Sequence, residues 1–166
     1  MSGGILFVCL GNICRSPLAE AVARAEFARL GLALPVASAG TGDWHVGGGA
    51  DPRAIEVAAA VGYDLAAHRA RQVERADFGR YARVLAMDRA NLRALRQLGG
   101  ADASMPPALF LECAGLAAPQ EVPDPYSGSL DDFRAVLALV RSGVLALARR
   151  YGARAAGRRD DVPLHR

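Results

Sequence analysis

The sequence predicts a single α/β domain whose central parallel sheet of about four strands is flanked by helices. Three observations carry that expectation. Short apolar runs alternate with longer stretches of helical periodicity, the pattern of repeated strand–helix units. The 166 residues suit one hydrophobic core and show no internal repeat and no linker that divides them. The first apolar run, Ile5 to Cys9, passes into a helical pattern through a turn holding Gly11 and Asn12.

Each element has its local reason. Ile5 to Cys9 reads as a buried strand. The helix after it takes Pro17 in its first turn and stops at Gly31. Leu34 to Gly40 is a second strand that ends in small residues, and a glycine-rich loop follows through Arg53. Asp51 caps a helix that has Pro52 in its first position. Glu74 to Tyr81 predicts a short helix, and Ala82 to Asp88 a third strand, with Asp88 placed to cap the helix Arg89 to Gly99. Ala108 to Glu112 reads as a short fourth strand. Ala117 to Asp132 is a proline-rich loop, and Asp131 to Tyr151 a long closing helix. From Gly152 the periodicity is lost, which predicts a domain over residues 1–151 and a flexible tail over 152–166.

Composition excludes several classes. No apolar run is long enough to cross a bilayer. The N-terminus lacks the basic start and cleavage site of a signal peptide, so a soluble cytoplasmic protein is expected. Cys9, Cys14 and Cys113 are an odd count, which fits reduced thiols and not a disulfide framework. The net charge is +3, and every basic side chain apart from histidine is arginine. These arginines are scattered and aromatics are few, so no nucleic-acid partner is expected. His45, His68 and His165 are too dispersed to propose as zinc ligands, and neither metal nor cofactor is expected.

The chemistry concentrates at the first strand–helix junction. Ligands of parallel sheets bind outside the carboxyl ends of the strands, and the stretch FVCLGNICRSPLAE, Phe7 to Glu20, lies at such an end. A loop entering a helix points several backbone N–H groups at one spot, and the helix N-terminus adds partial positive charge. Such a nest binds an anion the size of phosphate. Gly11 and Asn12 tolerate the positive φ that the loop demands. Arg15 supplies a planar fork that grips two oxygens. Cys9 stands at the lip, where the field that holds phosphate also favours a thiolate. Ser16 is placed to donate a hydrogen bond to that sulfur. Alone, Cys9 would read as a core cysteine; cysteine, five residues, arginine and serine together read as a phosphate cradle round a nucleophile. No Gly-Lys-Ser/Thr is present, so this is not an ATP-binding loop.

A nucleophile that expels an oxygen leaving group needs a proton donor. Asp124, between Pro123 and Pro125 in the late loop, becomes the favoured acid once the first motif is in view. Without it, Asp124 is an ordinary turn aspartate.

These residues resemble the low-molecular-weight protein tyrosine phosphatase family. The resemblance runs from about Ile5 to Tyr151 and rests on VCLGNICRSPLAEA, then SAGTGDWHVG, DPRA, HRARQ and MDRANLRAL, and finally DPY. It implies that family's flavodoxin-like, Rossmann-like fold. It implies Cys9 as nucleophile, Arg15 as phosphate clamp and Asp124 as general acid. Leu10, Gly11, Asn12, Ile13, Cys14, Arg15 and Ser16 match the phosphate loop, and Ser16 the serine that steadies the thiolate. Asn12, Ser38 and His68 match a hydrogen-bond network that holds the loop in shape. Trp44 and Tyr126 match the aromatic walls of the substrate slot. Many relatives carry a second aromatic after that tyrosine; here it is Ser127. Relatives with both loop cysteines form a protective disulfide between them, which implies the same for Cys9 and Cys14.

The resemblance also bounds the alternatives. Arsenate reductases on this scaffold need further cysteines near mid-chain, and none lies between Cys14 and Cys113. Arginine phosphatases carry threonine where this loop has Ile13, whose apolar wall favours an aryl phosphate. A non-catalytic phosphoprotein-binding or redox-sensing module would not need Cys9, Arg15 and Asp124 all intact. The expected partners are phosphotyrosine-containing proteins, a tyrosine kinase being one candidate, and the expected assembly is a monomer or weak homodimer.

Overall fold

A computed structural model describes residues 3–160. Its centre is a four-stranded sheet of β1 (Ile5–Cys9), β2 (Val36–Gly40), β3 (Arg83–Ala86) and β4 (Ala108–Leu109), in the order β2-β1-β3-β4. Every pairing is parallel, as the strand–helix alternation predicts. Around it lie α1 (Arg15–Arg29), α2 (Pro52–Ala60), α3 (Asp77–Arg80), α4 (Arg89–Gln97), α5 (Phe110–Cys113) and α6 (Leu130–Asp160).

β1 is central and buried on both sides, so all five of its residues are apolar. Its alternation divides the core. Ile5, Phe7 and Cys9 join the larger cluster, which draws on α1, α2, α5 and α6. Leu6 and Val8 join the smaller one, with Val84, Ala86, Leu92 and Leu95. Phe7 meets Phe110 edge-on at 5.3 Å between ring centroids, a favoured aromatic geometry.

Two expectations change. Only Ala108 and Leu109 of the fourth apolar run join the sheet; from Phe110 the chain turns helical. Phe110, the first residue of that helix, carries the ring that meets Phe7. The closing helix also does not stop at Tyr151. It continues past Gly152, where a tail was expected, through Asp160. Ala and Arg dominate that segment and are strong helix formers, so it needs no apolar stripe to continue. The rest of the expected tail, 161–166, lies outside the described residues.

The sheet sets up the site at its carboxyl end. Cys9 pairs in register with Gly40, so the chains leaving β1 and β2 run side by side. Thr41 and Gly42 donate to the carbonyls of Cys9 and Leu10. A Cβ on Gly40 would lie 2.7 Å from the Leu10 carbonyl oxygen and 3.1 Å from Asn12 N, so only glycine lets β2 pass this close beneath the loop. On the other side, Met87 N donates to Val8 O and Val122 N to Met87 O. The late loop is thereby stitched to the end of β3.

Candidate active site

The loop from Cys9 to α1 is held by its own polar residues. Asn12 is fully buried and has φ of 57°, the left-handed conformation expected of it, whereas Gly11, for which the same was expected, does not adopt it. Its Nδ2 donates to Ser16 Oγ and Ser38 Oγ, both at 2.9 Å. Its Oδ1 accepts from Arg71 N at 2.9 Å. Its carbonyl lies 2.7 Å from His68 Nε2; a carbonyl only accepts, so that ring nitrogen carries the proton. One side chain and its carbonyl thus gather Ser16, Ser38, His68 and Arg71 under the loop.

Cys9 Sγ lies 2.9 Å from Ser16 Oγ. The serine hydroxyl is shared among that sulfur, Asn12 Nδ2 and the Ala39 carbonyl at 3.3 Å. With Nδ2 donating to its oxygen, the single hydroxyl proton has two acceptors, the sulfur at 2.9 Å and the Ala39 carbonyl at 3.3 Å. α1 begins at Arg15 after Cys14, and no side chain caps its first turn. The uncapped N-terminus places its partial positive charge at the loop.

Arg15 is 2 % exposed. Its Nη1 donates to Asp88 Oδ2 at 2.7 Å and to the Val122 carbonyl at 3.1 Å, and its Nη2 stands 3.6 Å from Asp124 Oδ2. Asp124 is held in turn by Tyr126 N, which donates to its Oδ1 at 3.1 Å. Cys14 is buried, and its thiol is pushed up to about 12, first by that burial and then by the negative fields of Asp51, Cys9 and Asp124.

These residues border a cleft of about 170 Å³ lined by Cys9, Leu10, Gly11, Ile13, Cys14, Arg15, Trp44, His45, Asp124 and Tyr126. Cys9 is at its floor, 3 % exposed, while Trp44 and Tyr126 stand at its rim, 70 % and 53 % exposed. Of the residues read from the sequence, Asn12, Ser16, Ser38 and His68 lie beneath the loop and the others line the cleft. The sequence reading missed four contributors: Asp88, read only as a cap; the Val122 carbonyl; His45; and Arg53, which grips the late loop. A signal for Asp88 existed, since it follows the third strand at the same sheet end as Cys9. Among the described residues no group of three or more His, Cys, Asp or Glu side chains is placed to hold a metal.

The sequence model of the low molecular weight phosphotyrosine protein phosphatase family matches residues 4–156. The chain belongs to that family. A low molecular weight protein-tyrosine-phosphatase of Streptomyces coelicolor is 45 % identical over 157 residues, covering 90 % of this chain and 95 % of the relative. A solved protein tyrosine phosphatase of Entamoeba histolytica, with Hepes in its active site, superposes with a TM-score of 0.85 at 32 % identity, covering 92 % and 98 % of the two chains. An arginine phosphatase of Drosophila superposes with a TM-score of 0.82 at 27 % identity, covering 89 % and 97 %. Solved phosphatases named for tyrosine and for arginine therefore share this frame. No helix among the described residues is long and apolar enough to cross a membrane.

Proposed function

We propose that this enzyme hydrolyses phosphotyrosine monoesters through a phosphocysteine intermediate. The observation that carries the reading is one cleft bordered by Cys9, Arg15 and Asp124, with Trp44 and Tyr126 at its rim. Cys9 Sγ attacks phosphorus as the bond to the phenol oxygen breaks. Arg15 and the N–H groups of Leu10 to Ser16 hold the remaining oxygens. Asp124, in its acid form, gives its proton to the departing oxygen. Water then attacks the phosphocysteine and loses a proton to the Asp124 carboxylate. The P–S bond breaks, and the sulfur leaves as a thiolate that accepts a hydrogen bond from Ser16. Phosphate and the phenol are the products, and both side chains return to their starting forms.

The aromatic rim and Ile13 favour an aryl group over a guanidinium. The three free cysteines fit a reducing, cytoplasmic setting. On this reading the substrates are phosphotyrosine-bearing proteins, a tyrosine kinase among the candidates. The test is parallel steady-state kinetics on phosphotyrosine, phosphoarginine, phosphoserine and arsenate, with and without Cys9→Ser. Phosphotyrosine should turn over without added metal, and Cys9→Ser should abolish turnover while keeping vanadate binding. Substantial turnover by Cys9→Ser would sink the mechanism, and a preference for phosphoarginine would sink the substrate class.

A further inference from the structure

Arg53 ties together the two loops that form the cleft. Asp51 holds its guanidinium by two bonds, from Nε to Oδ1 at 3.0 Å and from Nη2 to Oδ2 at 2.9 Å. The same fork donates from Nη2 to the Tyr126 carbonyl at 2.9 Å and from Nη1 to the Gly128 carbonyl at 3.1 Å. Its Cζ also lies 4.4 Å from the centre of the Phe133 ring, at the start of α6. Asp51 in turn is 8 % exposed and donates its backbone N–H to the Ile13 carbonyl at 2.8 Å. An unbroken path therefore runs from the phosphate loop through Asp51 and Arg53 to the late loop.

The path meets the chemistry at Tyr126. Its carbonyl accepts from Arg53, and its N–H donates to Asp124 Oδ1. The Asp124 side chain is 46 % exposed, so packing does not fix its rotamer. Its direction depends on the polar partners that reach it, the Tyr126 N–H and Arg15. We infer that Arg53 is a positioning residue for proton transfer: by holding the Tyr126 carbonyl it sets the backbone that aims Asp124 at the leaving oxygen. This rests on the reading of Asp124 as the proton donor. Only a planar fork spans a carboxylate and two carbonyls at once; an ammonium keeps the charge and loses the geometry.

The experiment compares kcat/KM, which reports phosphoryl transfer to Cys9, on phenyl phosphate and on p-nitrophenyl phosphate. The first has a poor leaving group that needs the proton; the second has a good one that needs it little. Arg53→Met should lower kcat/KM about tenfold on phenyl phosphate and less than about threefold on p-nitrophenyl phosphate, a misaimed acid being costly only where the proton matters. Arg53→Lys should fall between Arg53→Met and the parent, and it carries the test if Arg53→Met does not fold. Combined with Asp124→Ala, neither variant should add a leaving-group-dependent loss. Equal loss on both substrates, no loss on either, or a selective loss that persists with Asp124→Ala would overturn the inference and leave Arg53 a structural tie. If Asp124→Ala alone loses equally on both substrates, the general-acid reading fails, and the inference with it.

Discussion

Arg15 Nη1 and Asp88 Oδ2 stand 2.7 Å apart across 73 residues of chain. The other oxygen of the same carboxylate accepts from Asn91 N at 2.8 Å and caps α4. One side chain thus begins a helix and pairs with the buried cation of the site. Asp88→Ala should cost about 2–4 kcal/mol, because it removes a cap and leaves Arg15 short of its nearest charge. The arginine then gains more from an oxyanion than it does in the parent. Vanadate should therefore raise Tm further in the variant than in the parent. Equal shifts would mean that Asp88 acts on stability through the cap alone.

Cys14 predicts an alkaline effect. Its folded-state pKa is raised, from 9.0 to about 12, because burial disfavours the thiolate. The unfolded chain therefore loses this proton first as pH rises. Stability tied to the neutral thiol is complete below about pH 9 and is lost on the way to about 12. Urea unfolding of the parent and of Cys14→Ala from pH 8 to 11 checks this. The stability of the parent relative to the variant should fall with pH, and a constant difference would show the thiol to be less isolated than its burial implies.

Gly42 is the seat of Trp44. A Cβ there would lie 1.8 Å from the indole Cζ3 and 2.2 Å from Cε3. Trp44 is 70 % exposed, so in Gly42→Ala the ring gives way and the backbone stays. KM for aryl phosphates should rise roughly 3–10-fold, the worth of one aromatic contact, with kcat little changed. Trp44 is the only tryptophan, so a shift in its emission reports the displacement. An unchanged KM with a shifted emission would remove the indole from substrate binding.

Ile13, 9 % exposed, lines the cleft beside Cys14 and Arg15. Ile13→Thr places a hydroxyl where the wall is apolar. The ratio of phosphoarginine to phosphotyrosine turnover should rise. An unchanged ratio would assign the selectivity to Trp44 and Tyr126.

What could be read in advance was local. The buried strand Ile5 to Cys9, the caps at Asp51 and Asp88 and the positive φ at Asn12 depend on neighbours within a turn or a pleat. The loop from Cys9 to Ser16 is one contiguous segment, so the residues it gathers were legible from spacing. The fourth strand and the end of α6 were not. Phe110 packs on Phe7, a partner 103 positions away that no local pattern signals, and the end of α6 is rich in Ala and Arg, which favour helix on propensity alone.

The sequence by itself determined the α/β class, the loop and the residue types of the chemistry. The tertiary structure alone decided that Asp88 reaches Arg15 and that Arg53 holds the backbone of Tyr126. Both join segments more than 70 residues apart. Strand order and register bring Asp88 to the same sheet end as Cys9, and the late loop is pinned there through Val122 and Met87. Periodicity and capping act over a few residues, and such placements are fixed only when the whole sheet has formed.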